Sequence, residues 1–146
     1  MKPSLLLPLA LTIVAMHNQA PAPPQSREPL ASQVFEWSAL ATTVTKTGVR
    51  RDVFDAPTDT VDRLHGHITT LNPGANTGPL HRHPQEELVI IKEGTVEVNI
   101  DGRKTVAGPG SVIYFSVNEN ENMTNIGSTP AVYTVIQWFT PKTPKI

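Results

Sequence analysis

Short runs of alternating apolar and polar residues, broken by glycine, proline, asparagine or aspartate, constrain the fold of this chain more than any other feature. The alternation begins near Val34 and continues almost to the end of the sequence. A period of two residues places every second side chain on the same face of a β-strand, so these runs predict strands. The clearest runs are LHGHITTL, ELVIIKEGTVEVNI, SVIYFSV and AVYTVIQWF.

Turn residues divide the runs into short strands. Gly94 interrupts the longest run, and Asp101-Gly102 is typical of a tight turn before Lys104-Thr105-Val106. We therefore expect an antiparallel meander in this part of the chain. No long apolar stripe of period 3.6 follows residue 33, so the sequence predicts an all-β sandwich or barrel.

The first 22 residues have the order of a secretory signal peptide. Lys2 precedes the apolar run LLLPLALTIVAM, and the small residues Ala20 and Ala22 follow it. A membrane-spanning helix needs about 20 apolar residues, and this run is shorter. We expect cleavage, no stable membrane anchor and a periplasmic or secreted protein. Residues 23–32 are proline-rich and predict a linker, and residues 33–146 predict a single domain.

Charge and composition exclude several partners and sites. Lysine and arginine number 12 and the acidic residues 13, giving a net charge of −1. This balance offers no basic surface for nucleic acid. The chain has no cysteine, which removes disulfides, thiolate metal ligands and cysteine nucleophiles.

The segment from Gly78 to Glu87 contains candidate metal ligands. His81 and His83 are two residues apart, so in a strand both point inward, and the same parity favours Glu87 over Glu86. Two imidazoles and one carboxylate suit divalent iron, manganese, nickel or zinc, and they leave coordination positions for water, substrate or dioxygen. The sequence therefore predicts a divalent metal at His81, His83 and Glu87.

This segment resembles the first sequence motif of the cupin superfamily, G(X)5HXH(X)3,4E(X)6G. Every element from His81 to Gly94 matches, and the opening glycine is displaced by one residue to Gly74. The resemblance covers about residues 34–140 and is closest to short bacterial single-barrel cupins of the type-2 kind. It implies a jelly-roll barrel with the metal inside and a homodimer paired through edge strands. It implies no single reaction, because the fold hosts dioxygenases, isomerases, lyases and binding domains.

The second cupin motif, G(X)5PXG(X)2H(X)3N, is only partly kept. Gly110 and Asn125 match, but Ser116 and Asn118 replace its proline and glycine, and Glu121 stands at the position of its metal-binding histidine. Glu121 is therefore a candidate metal ligand or catalytic base. A second carboxylate weakens the metal as a Lewis acid, which favours substrate chelation or proton transfer over metal-hydroxide hydrolysis. In the alternative interpretation, Glu121 points to water from a polar loop at 118–122.

Three further groups have a structural and a functional interpretation. His65 and His67 form a second His-x-His pair, for which a solvent-facing position is favoured, and His67 is the better candidate for a place near the metal. The segment Arg50-Arg51-Asp52 is typical of a solvated rim, and the alternative is contact with a carboxylated substrate. Tyr114 and Phe115 have opposite parity, so one of them should line the barrel.

Two functions remain open from the sequence. The first is a metal-dependent enzyme that acts on a small oxygen-rich molecule by dioxygenase, isomerase or lyase chemistry. The second is a non-catalytic module that binds a sugar or an organic acid, which the weakened second motif favours.

Overall fold

The structure is a computed structural model, and it describes residues 28–145. The predicted signal peptide and residues 23–27 of the predicted linker lie outside the described residues. In the part of the linker that is described, the Leu30 N–H donates to the carbonyl of Pro57 at 2.8 Å. The first element is a single 3-10 turn, Trp37–Ala39.

Nine β-strands follow in the described part of the chain. They are β1 Thr42–Thr45, β2 Gly48–Ala56, β3 Arg63–Leu71, β4 Glu86–Glu93, β5 Val96–Ile100, β6 Arg103–Ala107, β7 Val112–Phe115, β8 Glu121–Asn125 and β9 Ala131–Phe139. Within residues 28–145, no helix is long and apolar enough to cross a lipid bilayer.

The strands form two antiparallel sheets. The larger sheet has the order β1-β2-β3-β9-β4-β7, and the smaller sheet has the order β6-β5-β8. The long strand β9 lies between β3 and β4, so residues far apart in sequence become neighbours across it. This arrangement is a jelly-roll barrel, and it confirms the all-β prediction.

The core lies between the inner faces of the two sheets. In β4 the side chains of Glu87, Val89 and Ile91 are buried, and the residues between them face outward. Phe115 of β7 is buried and Tyr114 is exposed, so the structure decides which of the two lines the barrel. The period-two alternation therefore predicts the inner face of β4 correctly.

The expected continuous meander through β4, β5 and β6 is wrong at its first step. Strands β5 and β6 do form a hairpin across Asp101-Gly102, but β4 pairs with β7 and β9, whereas β5 pairs with β6 and β8. At Gly94 the chain therefore passes from one sheet to the other. A break in an alternating run looks the same in sequence whether the next strand pairs with the previous one or changes sheets.

Gly94 is required at this crossing for two reasons. Its φ is +81°, a backbone conformation that residues with a side chain rarely adopt. A Cβ at this position would also lie 2.6 Å from the Cα of Ala131 in β9. Gly102 has a similar φ of +85° but open space around it.

The comparison of these two glycines gives a stability prediction. We expect Gly102→Ala to lower the free energy of unfolding by about 1–2 kcal/mol, the cost of a left-handed backbone. Gly94→Ala should cost roughly 1–3 kcal/mol more, because the new methyl group must also displace β9. Urea denaturation of both variants measures the difference. Equal losses would show that β9 moves away at no cost.

Candidate metal centre

A pair of backbone hydrogen bonds fixes the histidine segment against β8. The His81 N–H donates to the Glu121 carbonyl at 3.2 Å, and the Glu121 N–H donates to the His81 carbonyl at 2.7 Å. The Asn118 N–H donates to the His83 carbonyl at 2.8 Å. Only His81 of this segment forms a β-bridge, and residues 82–83 lie outside the strands. The expected strand is thus absent here, yet Arg82 is exposed and both histidines line the barrel cavity.

The side chains of His81, His83 and Glu121 converge. Glu121 Oε1 lies 3.0 Å from His81 Nε2 and 3.4 Å from His83 Nε2, and the two imidazole rings meet edge to face at 4.8 Å. One ligand atom from each of the three residues lies within 4.8 Å of the others. Two imidazole nitrogens and a carboxylate oxygen at these separations fit around one divalent ion, and the donor types suit zinc, iron, manganese or nickel.

Glu121 is buried, so the interpretation of its side chain as pointing to water from a loop is wrong. It is 4% exposed and begins β8, with Met123 and Asn125 buried on the same face. Its hydrogen bond to His83 raises the pKa of that imidazole. An imidazole nitrogen that ligates a metal must be deprotonated, so a bound cation would replace the proton that His83 shares with Glu121.

Glu87 lies in the same cavity but outside the group of three. Its Oε2 accepts a hydrogen bond of 2.5 Å from Nε2 of Gln137, its cross-strand neighbour in β9. Burial raises the pKa of the Glu87 carboxyl, and the Glu121 charge adds to this effect. Glu86 lies on the opposite face, where its carboxylate accepts hydrogen bonds from Tyr114 and Trp138.

The cavity has a volume of about 300 Å³ and lies inside the barrel. It is large enough for a small organic molecule. Its wall includes hydroxyl groups, the candidate metal ligands and a single arginine. Burial raises the pKa of Tyr133 to about 12, so its hydroxyl keeps its proton and can donate a hydrogen bond. The lining residues are Thr45, Thr47, Arg50, His67, Thr69, Leu71, Thr77, His81, His83, Glu87, Glu121, Met123, Tyr133, Val135 and Gln137.

The prediction that His65 and His67 face solvent is wrong. His67 lines the cavity, and burial, with a further contribution from the Arg50 charge, lowers its pKa to about 3. His65 lies beside it, with its Nε2 3.2 Å from His67 Nδ1, and its side chain is 13% exposed. Both imidazoles are therefore inside the barrel, as the parity of β3 allows.

Arg50 also lies in the cavity wall, where the sequence favoured a solvated rim. It is opposite Thr69 in the register of β2 and β3, on the inner face. The neighbouring Arg51 instead stacks on the Trp37 ring at 4.2 Å. Sequence reasoning did not consider Gln137 at all. Its place in β9 two residues after buried Val135 is a parity signal that would have found it.

An antiparallel jelly-roll barrel with histidine and carboxylate side chains in its cavity is typical of cupins. The family model of the cupin domain matches residues 67–137 of this chain. The domain match and the fold together support placing the chain in the cupin superfamily.

Solved structures share this fold. An RmlC-like cupin from Shewanella frigidimarina is 18% identical, with a TM-score of 0.61 over 76% of this chain and 95% of that chain. A predicted oxalate decarboxylase from Thermotoga maritima is 17% identical, with a TM-score of 0.61 over 73% and 99%. A cupin sugar phosphate isomerase from Silicibacter pomeroyi is 19% identical, with a TM-score of 0.58 over 75% and 77%. At these identities the likeness concerns the fold. No curated protein matches the sequence significantly.

The arrangement of the carboxylates predicts how metal affinity responds to mutation. We expect Glu121→Gln to lower it by about tenfold or more, because the charge between the two imidazoles is lost. Glu87→Gln should lower it less, since Glu87 lies outside the group of three. Glu86→Gln, on the outer face, is the control and should leave affinity unchanged. Titration of the metal-free chain with Zn²⁺ or Mn²⁺ measures all three. Loss of affinity in Glu86→Gln would show that the assigned inner face is wrong.

Proposed function

We propose that this chain is an exported, metal-dependent cupin enzyme that acts on a small oxygen-rich molecule by dioxygenase, isomerase or lyase chemistry. The observation that carries the proposal is the convergence of His81, His83 and Glu121 on one side of a cavity of about 300 Å³. A structural site usually surrounds its metal with four protein ligands, whereas a reactive site keeps a position open. This group of three offers three ligands beside open space.

His81, His83 and Glu121 would hold the metal, and Glu87 lies beside them in the same cavity. When bound, a divalent metal supplies Lewis-acid polarisation of a substrate oxygen. With two carboxylates nearby, formation of a metal hydroxide is disfavoured, and a chelating substrate is a better match. The carboxylate of Glu87, which lies outside the group of three, is the group of the described cavity wall best suited to carry a proton. Gln137 supports this role by holding one oxygen of Glu87 in place.

The range of reactions is consistent with the names of proteins that share the fold. A predicted oxalate decarboxylase and a sugar phosphate isomerase are among them. Both names describe chemistry on small molecules rich in oxygen. From these names we infer only that the substrate of this chain is small and rich in oxygen, and we infer no particular reaction.

A non-catalytic module that binds a sugar or an organic acid is the second candidate. The replacement of the motif histidine by Glu121 favours it, because a charge-neutral site activates a substrate less strongly. The metal, or the cavity alone, would then hold the ligand.

Export and self-association belong to the same proposal. The order of residues 1–22 supports export, and we propose a periplasmic or secreted location with no membrane anchor after cleavage. Strands β1 and β7 are the edges of the larger sheet, and an exposed edge strand can pair with a second copy. Mass spectrometry of the exported protein and light scattering of the purified protein measure the cleavage point and the oligomeric state.

Metal reconstitution distinguishes the two candidate functions. The metal-free chain is loaded anaerobically with Fe²⁺, Mn²⁺, Ni²⁺ or Zn²⁺ in parallel and tested against hydroxy acids, oxo acids and sugars. We expect turnover with at least one metal, with oxygen uptake for a dioxygenase and without it for an isomerase or lyase. The matched control is Glu121→Gln under the same conditions, which should be inactive. Stoichiometric ligand binding without turnover would support the binding module instead. A chain that takes up no metal would contradict the enzyme and would leave only a module that binds its ligand through the cavity alone.

A further inference from the structure

The cavity has a second polar region, in strands β2 and β3, that the metal centre does not use. It consists of Arg50, His65 and His67, and we call it the arginine–histidine wall. Arg50 and His67 line the cavity, and His65 contacts both of them. Strand register explains the grouping: Arg50 is opposite Thr69, Asp52 is opposite His67, and alternate residues share the inner face.

The contacts of His65 assign the tautomers of both imidazoles. Arg50 Nη2 lies 2.9 Å from His65 Nε2, and a guanidinium can only donate, so His65 Nε2 is an acceptor. Nδ1 of His67 faces the same lone pair at 3.2 Å, so it is the protonated nitrogen of its ring, since two lone pairs would repel each other. In this tautomer Nδ1 of His65 carries the other proton, 3.9 Å from Asp55 Oδ1. This leaves Nε2 of His67 with a free lone pair. Burial, followed by the Arg50 charge, keeps the pKa of His67 near 3, so this imidazole is neutral at ordinary pH.

Two contacts fix the guanidinium of Arg50, and they involve only some of its hydrogen-bond donors. Its Nε donates to Asp52 Oδ1 at 2.7 Å and its Nη2 to His65, and neither contact involves Nη1. The Asp52 side chain is 60% exposed, so its charge is largely screened by water. A planar guanidinium whose position is fixed by two contacts is well suited to bind a carboxylate.

The charges of the cavity favour an anionic ligand. The two charges of a divalent metal would be matched by the carboxylates of Glu87 and Glu121, so the Arg50 charge is matched only by Asp52, whose side chain is 60% exposed. His67 is neutral and adds none. A carboxylate group on the ligand would therefore give Arg50 an anionic partner inside the cavity, while a neutral ligand would leave it with the exposed Asp52 alone.

We propose that the arginine–histidine wall is a subsite for a hydroxycarboxylate, in which Arg50 donates to the carboxylate and Nε2 of His67 accepts a hydrogen bond from a hydroxyl group. This inference rests on the proposed function and narrows its substrate class to hydroxy acids and sugar acids. A simple carboxylate or an oxo acid lacks the donor that His67 needs. A polyol lacks the charge that Arg50 needs, and a buried polar group without its partner discriminates strongly between ligands.

Matched three-carbon ligands test this subsite on the full chain loaded with Zn²⁺. Glycerate carries both groups, propionate only the carboxylate, glycerol only hydroxyl groups, and pyruvate an oxo group in place of the hydroxyl. We expect glycerate to bind at least about tenfold more tightly than each of the other three, by calorimetry or NMR titration. Equal affinities for glycerate, propionate and pyruvate would overturn the role of His67, and equal affinities for glycerate and glycerol that of Arg50.

Variants assign the two interactions to their residues. Arg50→Gln should lower glycerate affinity by about tenfold or more and leave glycerol binding unchanged. Arg50→Lys should retain part of the preference for anions. His67→Phe should remove the preference of glycerate over propionate. Arg51→Gln is the control, since Arg51 lies against Trp37 and should have no effect. Unchanged glycerate affinity in Arg50→Gln would refute the subsite.

Metal content measured on each sample separates this inference from the proposed function. If Zn²⁺ binds and the ligands are not distinguished, the subsite is refuted and the metal centre is unaffected. If Zn²⁺ does not bind, the proposed function fails. The same ligands are then titrated into the metal-free chain, where a preference for glycerate that Arg50→Gln abolishes still supports the subsite, and no preference refutes it.

Discussion

The two backbone hydrogen bonds between His81 and Glu121 are the constraint on which the whole site depends. His81 belongs to the segment between β3 and β4, and Glu121 begins β8 in the smaller sheet. Their pairing places the Glu121 carboxylate of the smaller sheet beside the imidazoles of His81 and His83, whose segment continues into β4 of the larger sheet. The group of three therefore forms only when the barrel is closed. A cation bound there would stabilise the closed barrel, because it binds the folded state and not the separated strands.

The same constraint brings two carboxylates into one small cavity. Glu87 and Glu121 are both buried, and burial together with the Glu121 charge raises the pKa of Glu87. Without a metal, each carboxylate is stabilised by its own neighbours: Glu87 by Gln137, and Glu121 by His81 and His83. A divalent cation matches both carboxylates at once. The arrangement is thus better explained by a cation site than by packing alone, since buried carboxylates are costly without partners.

Much of this architecture could be predicted from local patterns. Alternation gives the inner face of β4, where it selects Glu87 over Glu86. In β7 it predicts only that Tyr114 and Phe115 lie on opposite faces, and the structure places Phe115 inside. Strand β8 was not predicted, because its sequence, ENMTN, has one apolar side chain. Its inward polar residues are tolerated through specific partners: Asn125, fully buried, bonds to Leu71, Thr129 and Gly127. Such partners are distant in sequence, and periodicity cannot identify them.

The arginine–histidine wall shows the same limit in a functional setting. A charged residue next to a turn is usually solvated, so Arg50 gave no local sign of its position in the cavity. Its inward position is stabilised by Asp52 on its own strand and by His65 on the next. The strand pairing of β2 with β3, and not the sequence of β2, brings the guanidinium to His65 and so determines which nitrogen of His67 carries the proton. The ligand preference that we propose for the cavity therefore depends on strand register. A shift by one residue would turn Arg50 outward and Arg51 inward, and it would leave His67 free to take either tautomer.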